Sequence, residues 1–288
     1  MKLKILVIAT LVANFFTLAA TSQEQTPRLE TKDRFVPVIG RNGMVTSREK
    51  IASQVGVDIL KKGGNAVDAA VAVGFAMAVT YPQAGNLGGG GFMVIHLAKE
   101  NKSIAIDYRE MAPAAASREM FLNADGTVNE MSSRFTHKAT GVPGTVAGMA
   151  HALKNYGTMS LQEVMRPAYD LALAGFPMYN YLEGSLNARK ERMMQNDAAA
   201  KVFYKKDGSS YKYGETFKQK DLAWSLKRIM EGGEKEFYYG EIAERIVADM
   251  EANGGLITMG DMANYKAVER PALVGEYKGH KVVTMPPP

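Results

Sequence analysis

The sequence of 288 residues contains no cysteine. This absence excludes disulfides, a thiolate nucleophile and cysteine metal sites. Histidine is also scarce. The four histidines are scattered at positions 96, 137, 151 and 280, none of them at the spacing of metal ligands, and His151 falls within a predicted helix. We therefore expect no metal and no cofactor, and a core that holds the fold without cross-links.

The only long apolar run at the N-terminus, Ile5 to Leu18, follows Lys2 and Lys4 and precedes the small residues of positions 19–22. A basic start, a short apolar run and small residues are typical of a secretory signal peptide. An uncleaved anchor helix fits less well because the run is short and contains Asn14. We predict a signal peptide at residues 1–22 and a periplasmic or secreted mature chain of residues 23–288.

The small net charge and the absence of two known catalytic motifs also narrow the range of possible functions. The formal net charge is +5 and two of the positive residues lie in the leader, which is too little to indicate a nucleic-acid partner. The chain has no Gly-x-Ser-x-Gly and no His-Glu-x-x-His motif. An apolar fraction of 46% is enough for a sizeable core. These features describe an exported enzyme or binding protein without naming its reaction.

The segment from Ala66 to Pro113 is the centre of the predicted fold. Residues 66–79 are apolar except for Asp68 and Gly74, which predicts a helix buried on all sides. Four consecutive glycines, 88–91, permit positive φ and close backbone approach. Residues 92–97 and 103–108 then alternate as two strands around a polar turn.

The rest of the chain is predicted to be mostly helical, which makes the fold class α/β or α+β. A capping box, in which two residues three apart cap each other's backbone, is predicted at Thr46–Glu49 and at Ser160–Glu163. The other predicted elements are a strand at 43–45, helices at 51–60, 146–155, 161–173, 186–203, 222–230 (starting from Asp221) and 241–251, and a hairpin of strands 272–275 and 280–284.

The glycine run permits two interpretations. A phosphate-binding loop is rejected, because Met93 stands where a third glycine is needed and the loop leads from helix into strand. Close packing of two elements and approach to a ligand both remain open.

Arg109 follows the second predicted strand, where a side chain can leave the sheet and face a cleft. Residue chemistry alone favours an ordinary surface arginine paired with Asp107 or Glu110. The alternative is a guanidinium that binds a carboxylate through two parallel hydrogen bonds.

Several motifs, in one order along nearly all of the mature chain, closely resemble the γ-glutamyltranspeptidase family. They are GMVTS (43–47), SQVGVDILKKGGNAVDAAVA (53–72), GNLGGGGFMV (85–94), DYREMAP (107–113), GVPGTVAGM (141–149) and NGGLITMGDMANYKAV (253–268), with a terminal MPPP.

The resemblance implies an N-terminal-nucleophile hydrolase fold, an αββα sandwich. It implies a precursor that cleaves itself into a large and a small subunit, which form a heterodimer. The new N-terminal threonine of the small subunit attacks a γ-glutamyl amide such as glutathione, with its own α-amine as base. Water, an amino acid or a peptide then accepts the glutamyl group. Arg109, in the matching DYREMAP, would hold the donor's α-carboxylate, so the ligand role is now preferred.

This sequence has about half the expected precursor length, and no catalytic residue can be named in it. We expect residues 1–288 alone to show neither self-cleavage nor turnover, and to be poorly soluble because sheet edges and apolar faces are uncovered. Two alternatives remain: a cephalosporin or glutaryl acylase of the same superfamily, and a non-catalytic exported amino-acid-binding protein in which Arg109 binds a carboxylate without chemistry.

Overall fold

A computed structural model describes residues 38–288, so the predicted signal peptide lies outside the described residues. Residues 38–41 are exposed and belong to a short N-terminal unit. Residues 42–288 form a second, compact unit, and all elements below lie in it. Within residues 38–288, no helix is both long enough and apolar enough to cross a membrane.

The largest sheet of this unit has three antiparallel strands. Its first two strands are β1 (Gly91–Leu97) and β2 (Lys102–Tyr108), joined by the predicted polar turn. A third strand, β5 (Val268–Pro271), pairs with the other side of β2. Because β2 has a partner on each side, its residues from Ile104 to Tyr108 are all buried. The backbone of Arg109, the residue directly after β2, is therefore held in place on its N-terminal side.

Two helices precede the sheet. They are α1 (Lys50–Lys61) and α2 (Ala66–Thr80), which pack against each other. Eleven of the fifteen residues of α2 are buried, as its apolar sequence predicts. Asn65 caps α2 as predicted, and it shares a capping box with Asp68.

Helices that follow the sheet in the chain also pack against α2. Helix α5 (Leu161–Ala174) packs against α2 and α8 (Lys220–Gly232) packs against α5, while α4 (Thr145–Tyr156) packs against β2. The capping box at Ser160–Glu163 is confirmed at the start of α5. The helices are α3 (Glu130–Phe135), α4 (Thr145–Tyr156), α5 (Leu161–Ala174), α6 (Asn180–Met193), α7 (Asp197–Phe203), α8 (Lys220–Gly232), α9 (Glu234–Tyr239), α10 (Glu241–Ala252) and α11 (Met259–Asn264).

Two small strand pairs complete the fold. Strands β3 (Phe176–Pro177) and β4 (Thr216–Phe217) form a short antiparallel pair. The predicted hairpin is confirmed as β6 (Leu273–Tyr277) and β7 (His280–Thr284), and it pairs with no other described strand. In the described part of the chain, one three-stranded sheet is thus present, with the helix Thr145–Tyr156 packed on it.

Two predictions near the start of α1 are wrong. The predicted strand at residues 43–45 is not a strand, because Val45 packs its methyl groups beside Gly56 of α1 instead of pairing with a backbone. The predicted capping box does not form either. Glu49 is itself the N-cap, and its carboxylate accepts hydrogen bonds from the N–H groups of Ile51 and Ala52 at 2.8 and 2.9 Å.

Two helix boundaries also differ from prediction. The helix predicted at 186–203 is two helices, because Asn196 caps α7 by accepting a hydrogen bond from the Ala199 N–H at 2.8 Å. Helix α8 starts one residue before Asp221, with Gln219 as its N-cap.

Candidate functional site

Arg109 lies directly after β2, with 59% of its side chain exposed. Its Nε is 3.4 Å from a carboxylate oxygen of Glu110, and its guanidinium lies 6.0 Å from the centre of the Phe92 ring. The cation–π contact is at the outer limit of its kind, and the ion pair is longer than the 2.7–2.9 Å that is typical of a charge-assisted hydrogen bond. The guanidinium is therefore accessible and only loosely paired, which leaves its donors available to a ligand.

The backbone of Arg109, in contrast, is fixed on both sides. Its N–H donates a hydrogen bond to Asp107 Oδ1 at 3.1 Å, and its carbonyl accepts one from the Tyr265 hydroxyl at 2.8 Å. Asp107, nearly buried, is held in turn by Arg270, whose Nε donates to Oδ2 at 3.0 Å. Asp107 and Glu110 are the two partners expected for the Arg109 side chain. Glu110 forms this ion pair, whereas the Asp107 carboxylate pairs with Arg270 instead.

The glycine run lies against the same strand end. The carbonyl of Gly89 accepts hydrogen bonds from the N–H groups of Gly144 and Thr145, at 2.7 and 2.9 Å. A Cβ on Gly90 would lie 2.5 Å from the carbonyl oxygen of Tyr108. None of the four glycines has a positive φ. Close packing against Tyr108, rather than unusual backbone conformation, explains why glycine is needed at Gly90 and Gly91, whereas a Cβ on Gly88 would have no neighbouring atom within 4 Å.

The start of α4 also requires glycines against β2. A Cβ on Gly144 would overlap the Tyr108 carbonyl oxygen and the Tyr265 hydroxyl. A Cβ on Gly148 would overlap Cγ of Tyr108. The GVPGTVAGM motif therefore packs directly behind Arg109, and three separated motifs meet at one point.

Tyr265 and Arg270 are the site residues that sequence reasoning did not single out. Tyr265 lies within a quoted motif, but no local pattern shows that it reaches a residue 156 positions earlier. Arg270 belongs to a strand that was not predicted. The pairing of β5 with β2 places Arg270 beside the Asp107 carboxylate, and Tyr265, just before β5, donates to the Arg109 carbonyl.

The histidines do not join this site as a cluster. His137 pairs with Asp249 at 2.9 Å and His151 approaches Glu269 at 3.5 Å. In residues 38–288 there is no group of three or more His, Asp or Glu side chains that could hold a metal ion. A cleft of about 680 Å³ lies elsewhere, lined by residues such as Asn86, Lys201 and Lys218, and it does not include Arg109. An exposed guanidinium such as that of Arg109 is able to bind a carboxylate through two parallel hydrogen bonds.

Comparison with solved structures defines the class of protein. The chain aligns with γ-glutamyltranspeptidase of Helicobacter pylori with a TM-score of 0.85 and 44% identity, covering 87% of this chain and 72% of that one. It aligns with cephalosporin acylase of Bacillus halodurans with a TM-score of 0.74 and 26% identity, covering 90% of this chain and 49% of that one. The fold is that of the N-terminal-nucleophile hydrolases.

The family follows from the sequence comparison. The γ-glutamyltranspeptidase family model matches residues 52–288. The glutathione hydrolase proenzyme of Escherichia coli K12 is 52% identical over 257 residues, which are 89% of this chain and 44% of that protein. The chain belongs to the γ-glutamyltranspeptidase family. It spans less than half the length of the curated relatives it matches.

Proposed function

We propose that this chain is the large-subunit part of a γ-glutamyltransferase and glutathione hydrolase. The complete proenzyme would cleave itself, and the small subunit would carry the nucleophilic threonine and form a heterodimer with this chain. The acyl-enzyme would pass the glutamyl group to water, an amino acid or a peptide. Family membership and the E. coli relative named glutathione hydrolase support this function.

The single observation that carries the proposal within this chain is Arg109. Its guanidinium is exposed and weakly paired, whereas its backbone is fixed by two hydrogen bonds. A planar guanidinium on a fixed backbone suits a carboxylate. Two parallel N–H···O bonds fix the position of the ligand, and the positive charge complements its negative charge. Holding the donor's α-carboxylate in this way would present the γ-amide to the nucleophile at a constant distance.

The test is kinetic and uses the processed heterodimer. We expect Arg109→Ala to raise the KM for a γ-glutamyl anilide about 100-fold, since a charge-assisted pair to a carboxylate is lost. Arg109→Lys should recover only part of this, because an ammonium makes no bidentate contact. Arg118→Ala, at another exposed arginine, is the matched control. An unchanged donor KM in Arg109→Ala would refute the assigned role.

The alternative function, a cephalosporin or glutaryl acylase, is supported by the structural similarity to the cephalosporin acylase of Bacillus halodurans. That likeness is more distant than the one to the γ-glutamyltranspeptidase, at 26% against 44% identity. Glutathione and a glutaryl amide both carry a carboxylate for Arg109 to bind, and the glutaryl amide lacks only the α-amino group, which a γ-glutamyl site would also recognise. We expect turnover of glutathione to exceed that of a matched glutaryl amide, and the opposite order would favour the acylase.

Processing and location are tested separately. An in-frame continuation of the gene beyond the codon for Pro288, with a threonine that becomes a new N-terminus, is the expected result of sequencing. The purified protein should then give two bands in denaturing electrophoresis. Export is expected to the periplasm or the medium, and cell fractionation measures it. A stop codon directly after Pro288 would remove the enzyme proposal for this chain.

A further inference from the structure

The backbone carbonyl of Arg109 is held by Tyr265, which lies 156 residues further along the chain. Tyr265, directly after α11, is 8% exposed and donates its hydroxyl to the Arg109 carbonyl at 2.8 Å. Burial first, and then the negative charges of Asp107 and Glu110, raise the pKa of Tyr265. The hydroxyl therefore stays protonated at neutral pH and acts as a donor.

The ring of Tyr265 is itself held in place. It stacks on Tyr238 with centroids 5.6 Å apart and an interplanar angle of 6°. The Tyr238 hydroxyl donates to the Pro143 carbonyl at 2.8 Å and accepts from the Ala147 N–H at 3.3 Å. Gly144 leaves the space that the Tyr265 hydroxyl occupies. The contact to Arg109 is thus made by a side chain with little freedom of its own.

We propose that Tyr265 is a positioning residue for the carboxylate-binding Arg109, which makes this inference dependent on the proposed function. The guanidinium has few contacts that fix it, so its place is set mainly by where its backbone lies. Without the Tyr265 hydroxyl, the Asp107 carboxylate, held by Arg270, would be the remaining side-chain hydrogen-bond partner of the Arg109 backbone. That backbone lies between the paired residues Tyr108 and Met111. Because one of two anchors remains, loss of the hydroxyl should weaken donor binding without abolishing it.

The experiment measures donor kinetics of Tyr265→Phe in the processed heterodimer, with a γ-glutamyl anilide. Removing one neutral hydrogen bond should raise KM about fivefold and leave kcat within about twofold. Tyr204→Phe is the matched control. Tyr204 is 3% exposed and its hydroxyl donates to the Leu186 carbonyl at 2.9 Å, a similar buried bond made away from Arg109. It should lower thermal stability comparably and leave KM unchanged.

A double-mutant cycle separates positioning from general stability. In an Arg109→Ala background, Tyr265→Phe should change kcat/KM less than about twofold, because it acts through the missing guanidinium. The same factor in both backgrounds, or a KM of Tyr265→Phe equal to that of the wild type, would overturn the inference. An Arg109→Ala enzyme with normal donor KM would instead refute the proposed function, so the two failures are distinguishable.

Discussion

Asp68 is a fully buried carboxylate that no cation contacts within the described residues. Its two oxygens accept four hydrogen bonds, from the Asn65 N–H at 2.7 Å, the Thr158 N–H at 2.8 Å, the Thr158 hydroxyl at 2.6 Å and the Met159 N–H at 3.1 Å. It also lies in the first turn of α2, where the helix dipole favours negative charge. This one side chain therefore joins α2 to the loop between α4 and α5.

The pKa of Asp68 gives this role a pH dependence. Burial acts to raise the pKa, but the hydrogen bonds from Thr158, Asn65 and Met159 outweigh it and leave the pKa below its ordinary value. Since the folded-state pKa is the lower one, the stabilisation is fully present above the unfolded pKa of about 4. It is lost as pH falls through the folded pKa, because the unfolded chain binds the proton first.

We expect Asp68→Asn to lower the free energy of unfolding by about 2–4 kcal/mol at pH 7, since its amide group would face N–H donors. Urea denaturation at pH 7 and at pH 3.5 measures this, and the loss should be smaller at the lower pH. Asp170→Asn, in an exposed pair with Arg166 at 2.8 Å, is the control and should change stability by less than about 1 kcal/mol. Equal losses for both variants would contradict the role of Asp68.

At the residue scale, the sequence indicates Arg109 as a candidate site residue but not what holds it in place. Arg109 is a candidate because a strand end precedes it and because DYREMAP matches a family motif. Its ion pair with Glu110 was one of two partners expected from short-range spacing. Tyr265 and Arg270 act across more than 150 residues, and no local pattern encodes such a contact.

At the element scale, the contact between α4 and β2 depends on Gly148. A Cβ at this position would overlap both Cγ and Cβ of Tyr108, atoms that cannot move without the strand. Gly184 is the opposite case. It also lies inside a helix, α6, but a Cβ placed there would have no neighbouring atom within 4 Å.

We expect Gly148→Ala to destabilise the protein by at least about 3 kcal/mol, because overpacking must displace the strand before Arg109. Gly184→Ala should stabilise it by about 0.5–1 kcal/mol, since alanine is the better helix former. Chemical denaturation of both variants measures the difference. If Gly148→Ala proved as stable as the wild type, α4 and β2 would not pack as closely as described.

Elements with strong internal patterns were predictable, and those defined by tertiary contacts were not. The buried helix α2, the β1–β2 pair, the Ser160 capping box and the β6–β7 hairpin all follow from apolar spacing or cap residues. Helices α3, α9 and α11 have six residues each and are too short for a periodic pattern. Strand β5 is defined by its pairing with β2, and Glu49 rather than Thr46 caps α1 because the helix begins at Lys50, directly after Glu49.

At the scale of the whole molecule, strands within residues 38–288 present two of the exposed apolar surfaces. The first is a face of the three-stranded sheet, defined by Phe92, Val94 and Val268, which are 38%, 42% and 43% exposed. Strand pairing places Phe92 and Val268 on either side of Asp107, so they share one face. The second is one face of the β6–β7 hairpin, with Leu273, Tyr277 and Val282 at 53%, 65% and 45%.

These surfaces predict self-association of residues 23–288 when they are produced alone. Contiguous apolar area and the edge of β1, which has one partner among the described strands, both favour pairing with another copy. We expect oligomers at concentrations of about 10–100 µM in size-exclusion chromatography with light scattering.

The double variant Val94→Lys with Val282→Lys should shift the protein toward monomer, because a charge on each face disfavours burial. Leu173→Lys, at a separate residue that is 45% exposed on α5, should not. A wild-type monomer over this range, or an unchanged distribution in the double variant, would show that these faces do not drive association.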